Sequence, residues 1–218
     1  MARRPLAPVR NAASIRRTAG RKTPRSITLI VCEGETERAY FQAVRVHYGL
    51  SNAEVVVAEG NDSAPISVVE YAQSRCAERG GYDKVFCVFD RDGHESFQRA
   101  CDRVRSLATR ARSPLPIDTA VSIPCFELWL LLHFEPTDAP FDRCDDVVKR
   151  LRQWVPNYVK GDAAILHPCL ERLRTALSNA DWLAQRAVAN NSNPYTSMQR
   201  VLRHFAAVAN EAHHHELG

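Results

Sequence analysis

The chain has 218 residues, 45% hydrophobic, 25% charged and 8% aromatic, which is the composition of a globular protein with one sizeable core, or one core plus a small appendage. The longest apolar run, Leu128 to Phe134, is interrupted by His133 and is far too short for a membrane span, and no charged segment leads into an apolar signal core, so a soluble cytoplasmic protein is expected. Seven cysteines (Cys32, Cys76, Cys87, Cys101, Cys125, Cys144, Cys169) are odd in number, widely spaced and without a C-x-x-C pair. They indicate neither a disulfide framework nor a zinc site and read as small buried hydrophobes in a reducing compartment.

The net charge of +4 is unevenly spread. Residues 1–25 carry eight basic side chains and no acidic one, leaving 21 basic against 25 acidic in the other 193 residues. Such an arm has too few apolar residues to fold alone, and its self-repulsion keeps it extended until an anion neutralises it. Nucleic acid is one such anion; a solvated leader is the plainer reading.

From Ser26 the pattern becomes regular. Ile27 to Cys32 reads as a strand buried on both faces. A helix follows, with Tyr40, Phe41, Val44 and Tyr48 on one stripe and Gly49 as its stop. Val55 to Ala58 predicts a second strand. The cap-type residues Asn61, Asp62 and Ser63 then open a helix through Ile66, Val69 and Ala72 to Cys76, ended by Gly80-Gly81. Val85 to Phe89 is the third strand; Phe97, Cys101, Val104 and Ala108 lie on another helix, and Ile117 to Val121 is the fourth strand. Strands alternating with amphipathic helices argue for a right-handed β-α-β series and a mostly parallel sheet with helices on both faces, over residues 26–123.

After Pro124 the strand signal stops. Phe126 to Phe134, Asp145 to Trp154, a long stripe from Leu166 to Ala187, and Met198 to Ala209 all read as helices. An all-helical extension over residues 124–218, packed on the α/β unit, is therefore expected.

In an open parallel sheet, chemistry collects beyond the carboxyl ends of the strands. The first strand runs into Glu33-Gly34-Glu35-Thr36-Glu37 and the third into Asp90-Arg91-Asp92-Gly93-His94, with Gly34 and Gly93 permitting tight turns. If these strands are neighbours, Glu33, Asp90 and Asp92 converge. Carboxylates sharing a pocket repel unless protonated or metal-bound, and hard oxygen donors with room for water suit Mg²⁺ or Mn²⁺ and phosphoryl chemistry. Asp92 has a plainer reading as a helix cap, and Glu35 and Glu37 read best as first-turn acids complementing a helix dipole. Glu127, set among Phe126, Leu128 and Trp129, is either a partnered core glutamate or a further acid of the site. His133 reads as a satisfied core histidine. His94 and Lys160, on turn and loop, could reach a phosphate, and Asn193-Pro194 reads as a helix start.

An apolar strand ending in Glu-Gly, followed by one ending in Asp-x-Asp, resembles the Toprim domain shared by topoisomerases, bacterial primases and several nucleases. The fuller pattern is similar to the RloB-like family, small bacterial proteins often associated with restriction and phage-defence loci. It rests on Ile30-Val31-Cys32-Glu33-Gly34-Glu35-Thr36-Glu37, Val88-Phe89-Asp90-Arg91-Asp92-Gly93-His94, the block from Pro124 to Phe134, Tyr158-Val159-Lys160, and Asn193-Pro194-Tyr195-Thr196. The resemblance implies that Glu33 acts as general acid or base or helps hold metal, that Asp90 and Asp92 bind metal, and that Glu127 assists. Arg91, His94 and Lys160 are candidate contacts to substrate. Ile123 departs from the pattern, which has a polar residue, commonly asparagine, before the proline.

The function expected on these grounds is a Mg²⁺-dependent, Toprim-type nuclease cutting DNA or RNA in anti-phage defence, with a partner protein from a defence locus as a further expectation. A non-cleaving nucleic-acid-binding or regulatory subunit is the alternative of a different class. A haloacid-dehalogenase-like phosphatase, built on Phe89-Asp90-Arg91-Asp92-Gly93, is a third, opposed by the Glu-Gly strand that precedes that loop.

Overall fold

A computed structural model describes residues 26–58, 64–161, 165–186 and 193–216. The basic arm, residues 1–25, and the cap-type residues 61–63 lie outside the described residues. Four parallel strands, β1 (Thr28–Cys32), β2 (Ala53–Val57), β3 (Lys84–Asp90) and β4 (Ile117–Ile123), alternate with helices α1 (Glu35–His47), α2 (Pro65–Arg79) and α3 (Phe97–Ala108). The fold is thus α/β with a mostly parallel sheet, five-stranded in the order β2-β1-β3-β4-β5.

The strands are apolar throughout because both faces are covered. Ile30, Cys32, Phe86, Val88 and Ala120 point into one buried cluster with Tyr40, Phe41 and Val44 of α1. Their neighbours Leu29, Val31, Val85, Cys87 and Phe89 point into the other, against Val68, Val69 and Ala72 of α2 and Ala100, Val104 and Leu107 of α3. This alternation is the period of two that a pleated strand imposes. The chain leaves β1 for β2 on one side, then crosses back to β3 on the other. The carboxyl ends of β1 and β3 therefore flank the point where the winding reverses, where a crevice opens in sheets of this kind.

The second half contains α4 (Glu127–Leu131), α5 (Cys144–Leu151), α6 (Leu166–Glu171), α7 (Leu173–Arg186) and α8 (Gln199–Glu216), together with the short strand β5 (Tyr195–Thr196). The expectation of an all-helical second half is corrected by β5, which pairs antiparallel with the end of β4 through Ser122↔Thr196 and Ile123↔Tyr195. Two residues are too few to show a strand period, so nothing in the local sequence marks it. Asn193 does not cap a helix: its side-chain amide donates to the Phe141 carbonyl at 2.6 Å and its side-chain oxygen accepts from the Phe141 N–H at 3.3 Å. The long stripe expected from Leu166 is broken at Arg172, whose N–H bonds the Cys169 carbonyl three residues back and tightens the last turn of α6.

His133 is the satisfied core histidine that was expected, with Nδ1 at 2.9 Å from the Trp129 carbonyl and Nε2 at 3.0 Å from the Tyr40 hydroxyl. Burial pushes its pKa down to about 4. Cys125 and Cys144 form a disulfide, which corrects the reading of every cysteine as an unpaired hydrophobe. Folding of the α4–α5 connection sets their Cα atoms 5.6 Å apart, within bridging range, a proximity that spacing along the chain does not reveal.

Leu202 of α8 shares one cluster with Ile30 of β1 and Phe86 of β3, so the two halves have a common core. Leu202→Ala should cost about 2–5 kcal/mol, read by urea denaturation as one cooperative transition for the whole chain. Two separate transitions would contradict the shared core.

Candidate active site

The acids at the strand ends are held by backbone contacts that follow from the sheet register. The Glu33 N–H bonds the Val88 carbonyl at 3.0 Å, extending the β1–β3 ladder past the end of β1. Glu33 Oε2 accepts the N–H of Asp90 at 3.0 Å, and Glu33 Oε1 lies 3.2 Å from His94 Nε2. Asp90, the last residue of β3, is fixed from the other side: its Oδ2 accepts the N–H of Phe126 at 2.8 Å. Its Oδ1 is buried and has no hydrogen-bond partner among the described residues. A buried acceptor without a donor is costly and calls for a proton or a cation.

Asp92 sits on the exposed turn after β3, its N–H bonded to the Pro124 carbonyl at 3.0 Å, and its charge acts on Glu33. It caps no helix; α3 begins at Phe97, after Ser96. Gly93 has φ +75°, the left-handed turn conformation expected of it, whereas Gly34 is extended at φ −136°. The reason for glycine at 34 is space: a Cβ there would come within 2.8 Å of Glu37 Oε2.

Glu37 stands in the first turn of α1, as expected, and it also belongs to this cluster. It is buried, and its carboxyl is pushed up to about 7, first by burial and then by the charges of Glu127 and Glu33. The signal was present in the sequence. Glu37 lies three, four and seven residues before Tyr40, Phe41 and Val44, on the stripe that faces the core. Glu35 does point outward, in an exposed ion pair with Arg38 at 2.7 Å.

Glu33 is likewise pushed up to about 7, by burial and then by Asp92, against the lowering effects of the Asp90 N–H and Lys160. Asp90 is raised well above the usual carboxylate range by burial, then by Glu37, Glu33 and Glu127. The acids thus feel one another through a poorly solvated crevice.

Glu127, 2% exposed, has partners of its own. Its Oε1 accepts the Tyr158 hydroxyl at 3.0 Å and lies 3.6 Å from Lys160 Nζ, while Oε2 is 3.2 Å from Cys144 Sγ. Lys160 itself is 58% exposed, and its loop is pinned to the start of α1 by the Gly161 N–H, which bonds Thr36 Oγ1 at 2.9 Å. The ammonium lowers the proton affinity of both Glu33 and Glu37, so it acts as a partial countercharge to the cluster. Arg91, at the start of the turn, donates its N–H to the Ser122 carbonyl and is half-buried.

Two groups of side chains are candidates for holding a cation. Cys125, Glu127 and Cys144 lie with ligand atoms within 4.8 Å of one another, but the two sulfurs are joined in the disulfide and are not thiolate donors, so this group does not suit magnesium. Glu33 and Asp90 offer hard oxygens, one of them the unpartnered Oδ1, whereas the Asp92 carboxylate, on the exposed turn, does not form a group of three with them within 4.8 Å, so the structure does not bring all three expected acids together. Magnesium is commonly held through one or two carboxylates, with water and substrate phosphate completing its shell, and this set fits that requirement.

Among known proteins, the family model described as RloB-like protein matches residues 28–205, which takes in both acid-bearing strand ends, α4, the Lys160 loop and β5. No curated protein and no solved structure matches the chain.

Glu33 and Glu37, raised from 4.5 to about 7, hold protons in the folded chain that the unfolded chain releases near pH 4.5. Their contribution to stability is complete below the unfolded value and is lost as pH rises through about 7. The Tm of the cation-free protein, measured in EDTA, should therefore fall between about pH 5 and pH 8 by this linkage, and Glu37→Gln should flatten the fall. An identical slope in the variant would remove Glu37 as a cause.

Proposed function

The chain belongs to the RloB-like family, and from the acids gathered at the ends of β1 and β3 we propose that it is a Mg²⁺- or Mn²⁺-dependent, Toprim-type nuclease that cuts phosphodiesters of DNA or RNA. The observation that carries this reading is Asp90 Oδ1, a buried carboxylate oxygen with no donor, beside two glutamates whose proton affinity is already raised. Such a group is out of place in a merely structural turn and is what a hard-cation site requires.

Asp90 and Glu33 would hold the cation, with Asp92 as a further acid on the adjoining turn, and a divalent cation bound there would supply polarisation of the phosphorus and stabilisation of the leaving oxygen. The protein's own contribution is to keep these groups fixed before substrate arrives. The Phe126 N–H holds Asp90 Oδ2 and leaves Oδ1 for the cation; the Asp90 N–H holds Glu33 Oε2 and leaves Oε1 toward His94. Glu33, beside the place for the cation, either completes its coordination or, where it does not ligate, shuttles a proton to or from an attacking water or leaving oxygen. Lys160, held near the acids by Glu127, and Arg91 on the turn supply positive charge to a phosphate. Glu127 acts through Lys160 and Tyr158 and is a positioning residue. The basic arm supplies sequence-independent affinity for a strand, and a role in anti-phage defence follows the family resemblance set out above.

Incubated with single- and double-stranded DNA and RNA, wild-type protein should cut at least one of them in Mg²⁺ or Mn²⁺ and none in EDTA. Asp90→Asn should lower the rate by at least about a thousandfold, the scale of losing a group that acts only in the transition state. The cation should also raise the Tm of wild type and leave that of Asp90→Asn unchanged. Salt-sensitive binding that survives Asp90→Asn, with no cleavage by wild type, would instead support the non-cleaving binding subunit.

A further inference from the structure

A cleft of about 390 Å³ opens next to the acids, on the side of β4 and β5. It is lined by Phe97, Tyr195, Ile123 and Gln98, and by Arg91, His94 and the exposed acid Glu95 of the segment that follows Asp90. His94 faces both ways, because its Nε2 also lies 3.2 Å from Glu33 Oε1. The cleft and the acid crevice are therefore two parts of one depression, sharing the β3 turn as a wall.

The apolar lining comes from three elements, Phe97 of α3, Ile123 of β4 and Tyr195 of β5. β5 is two residues long, and its register sets Tyr195 directly across from Ile123. Tyr195 and Phe97 are half-buried: both pack on the cluster beneath α3, and Phe97 meets Phe89 edge-on with ring centroids 5.8 Å apart. Their remaining surface faces the cleft. Ile123, where the family pattern has a polar residue, makes the adjoining wall apolar. Gln98 donates its amide to Asp102 at 3.1 Å, which leaves its side-chain oxygen as an acceptor at the rim.

We propose that this cleft seats one unpaired nucleobase, that of the nucleotide next to the phosphate held at the acids, and hence that the substrate is single-stranded nucleic acid or an unpaired segment of a larger one. The inference rests on the reading of the acids as a phosphodiester site. Two aromatic rings, an aliphatic wall and an arginine form the surface on which a base stacks, and every base has a π-face to offer. The volume lies at the small end of ligand sites and has room for a single nucleoside, not for a run of stacked base pairs. A base still paired in duplex is stacked on both sides and cannot enter without leaving the helix.

The test is binding in Ca²⁺, with a fluorescein-labelled single strand, the matching duplex, and a single strand carrying 2-aminopurine, each made as DNA and as RNA. Wild type should bind the single strand of one or both at least about tenfold more tightly than the duplex and should quench 2-aminopurine. Tyr195→Leu should weaken single-strand binding about tenfold and abolish the quenching, while Tyr195→Phe, which keeps the ring, restores both. Phe97→Leu should act like Tyr195→Leu; if its Tm falls because of the Phe89 contact, the Tyr195 pair still decides. Duplex bound as tightly as single strand, or Leu variants that bind and quench like wild type, would overturn the proposal. Cleavage is scored separately in Mg²⁺. A protein that cuts nothing but shows ring-dependent quenching keeps the base site and loses the nuclease reading; a nuclease indifferent to both rings keeps its chemistry and loses the base site.

Discussion

Mutual repulsion among buried carboxylates is the constraint on which the rest of this structure turns. The strand order sets the ends of β1 and β3 side by side, and α1 starts at once after β1, so Glu33, Glu37 and Asp90 are delivered to one crevice. The surroundings are dry: Tyr40, Phe126 and Trp129 are all buried near the base of α1 and α4. In such a medium an ionised acid is expensive, and two neighbouring ones more so. The folded chain answers with raised proton affinity at all three acids and with the ammonium of Lys160 at the rim.

The supports of this crevice come from distant parts of the chain. Phe126 presents its N–H to Asp90, Glu127 gathers Tyr158 and Lys160, and Gly161 fastens their loop to Thr36. The blocks of sequence that recur in the RloB-like pattern are thus joined in space although separated by tens of residues. Four of the five supply an acid or a contact that orients one; the fifth, Asn193 to Thr196, supplies the edge strand β5.

Much of this was legible beforehand. Four strands and the three helices between them follow from apolar runs and a 3.6-residue period, and the carboxylates of interest stand directly after two of those runs. Other features were hidden for physical reasons. Strand β5 is too short to carry a period and exists because β4 offers an open edge. The Cys125–Cys144 bridge depends on how α5 returns toward α4. Glu37 is both an acid of the first helical turn and a member of the core-facing stripe, and only the second of these brings it into the crevice. Gly34 was assigned to backbone freedom when its role is to leave room for that same glutamate.

Strand β5 has one more effect, on how the molecule behaves toward copies of itself. A parallel sheet that stopped at β4 would present the end of a long, nearly uncharged strand, with free amides and carbonyls, to any extended chain nearby. Tyr195 and Thr196 occupy those groups at Ile123 and Ser122, Ser197 continues with its N–H to the Val121 carbonyl, and its hydroxyl accepts the Val121 N–H. One of these three residues, Tyr195, also lines the cleft, so the same short stretch of backbone both blunts the sheet against unwanted self-association and shapes the surface beside the acids.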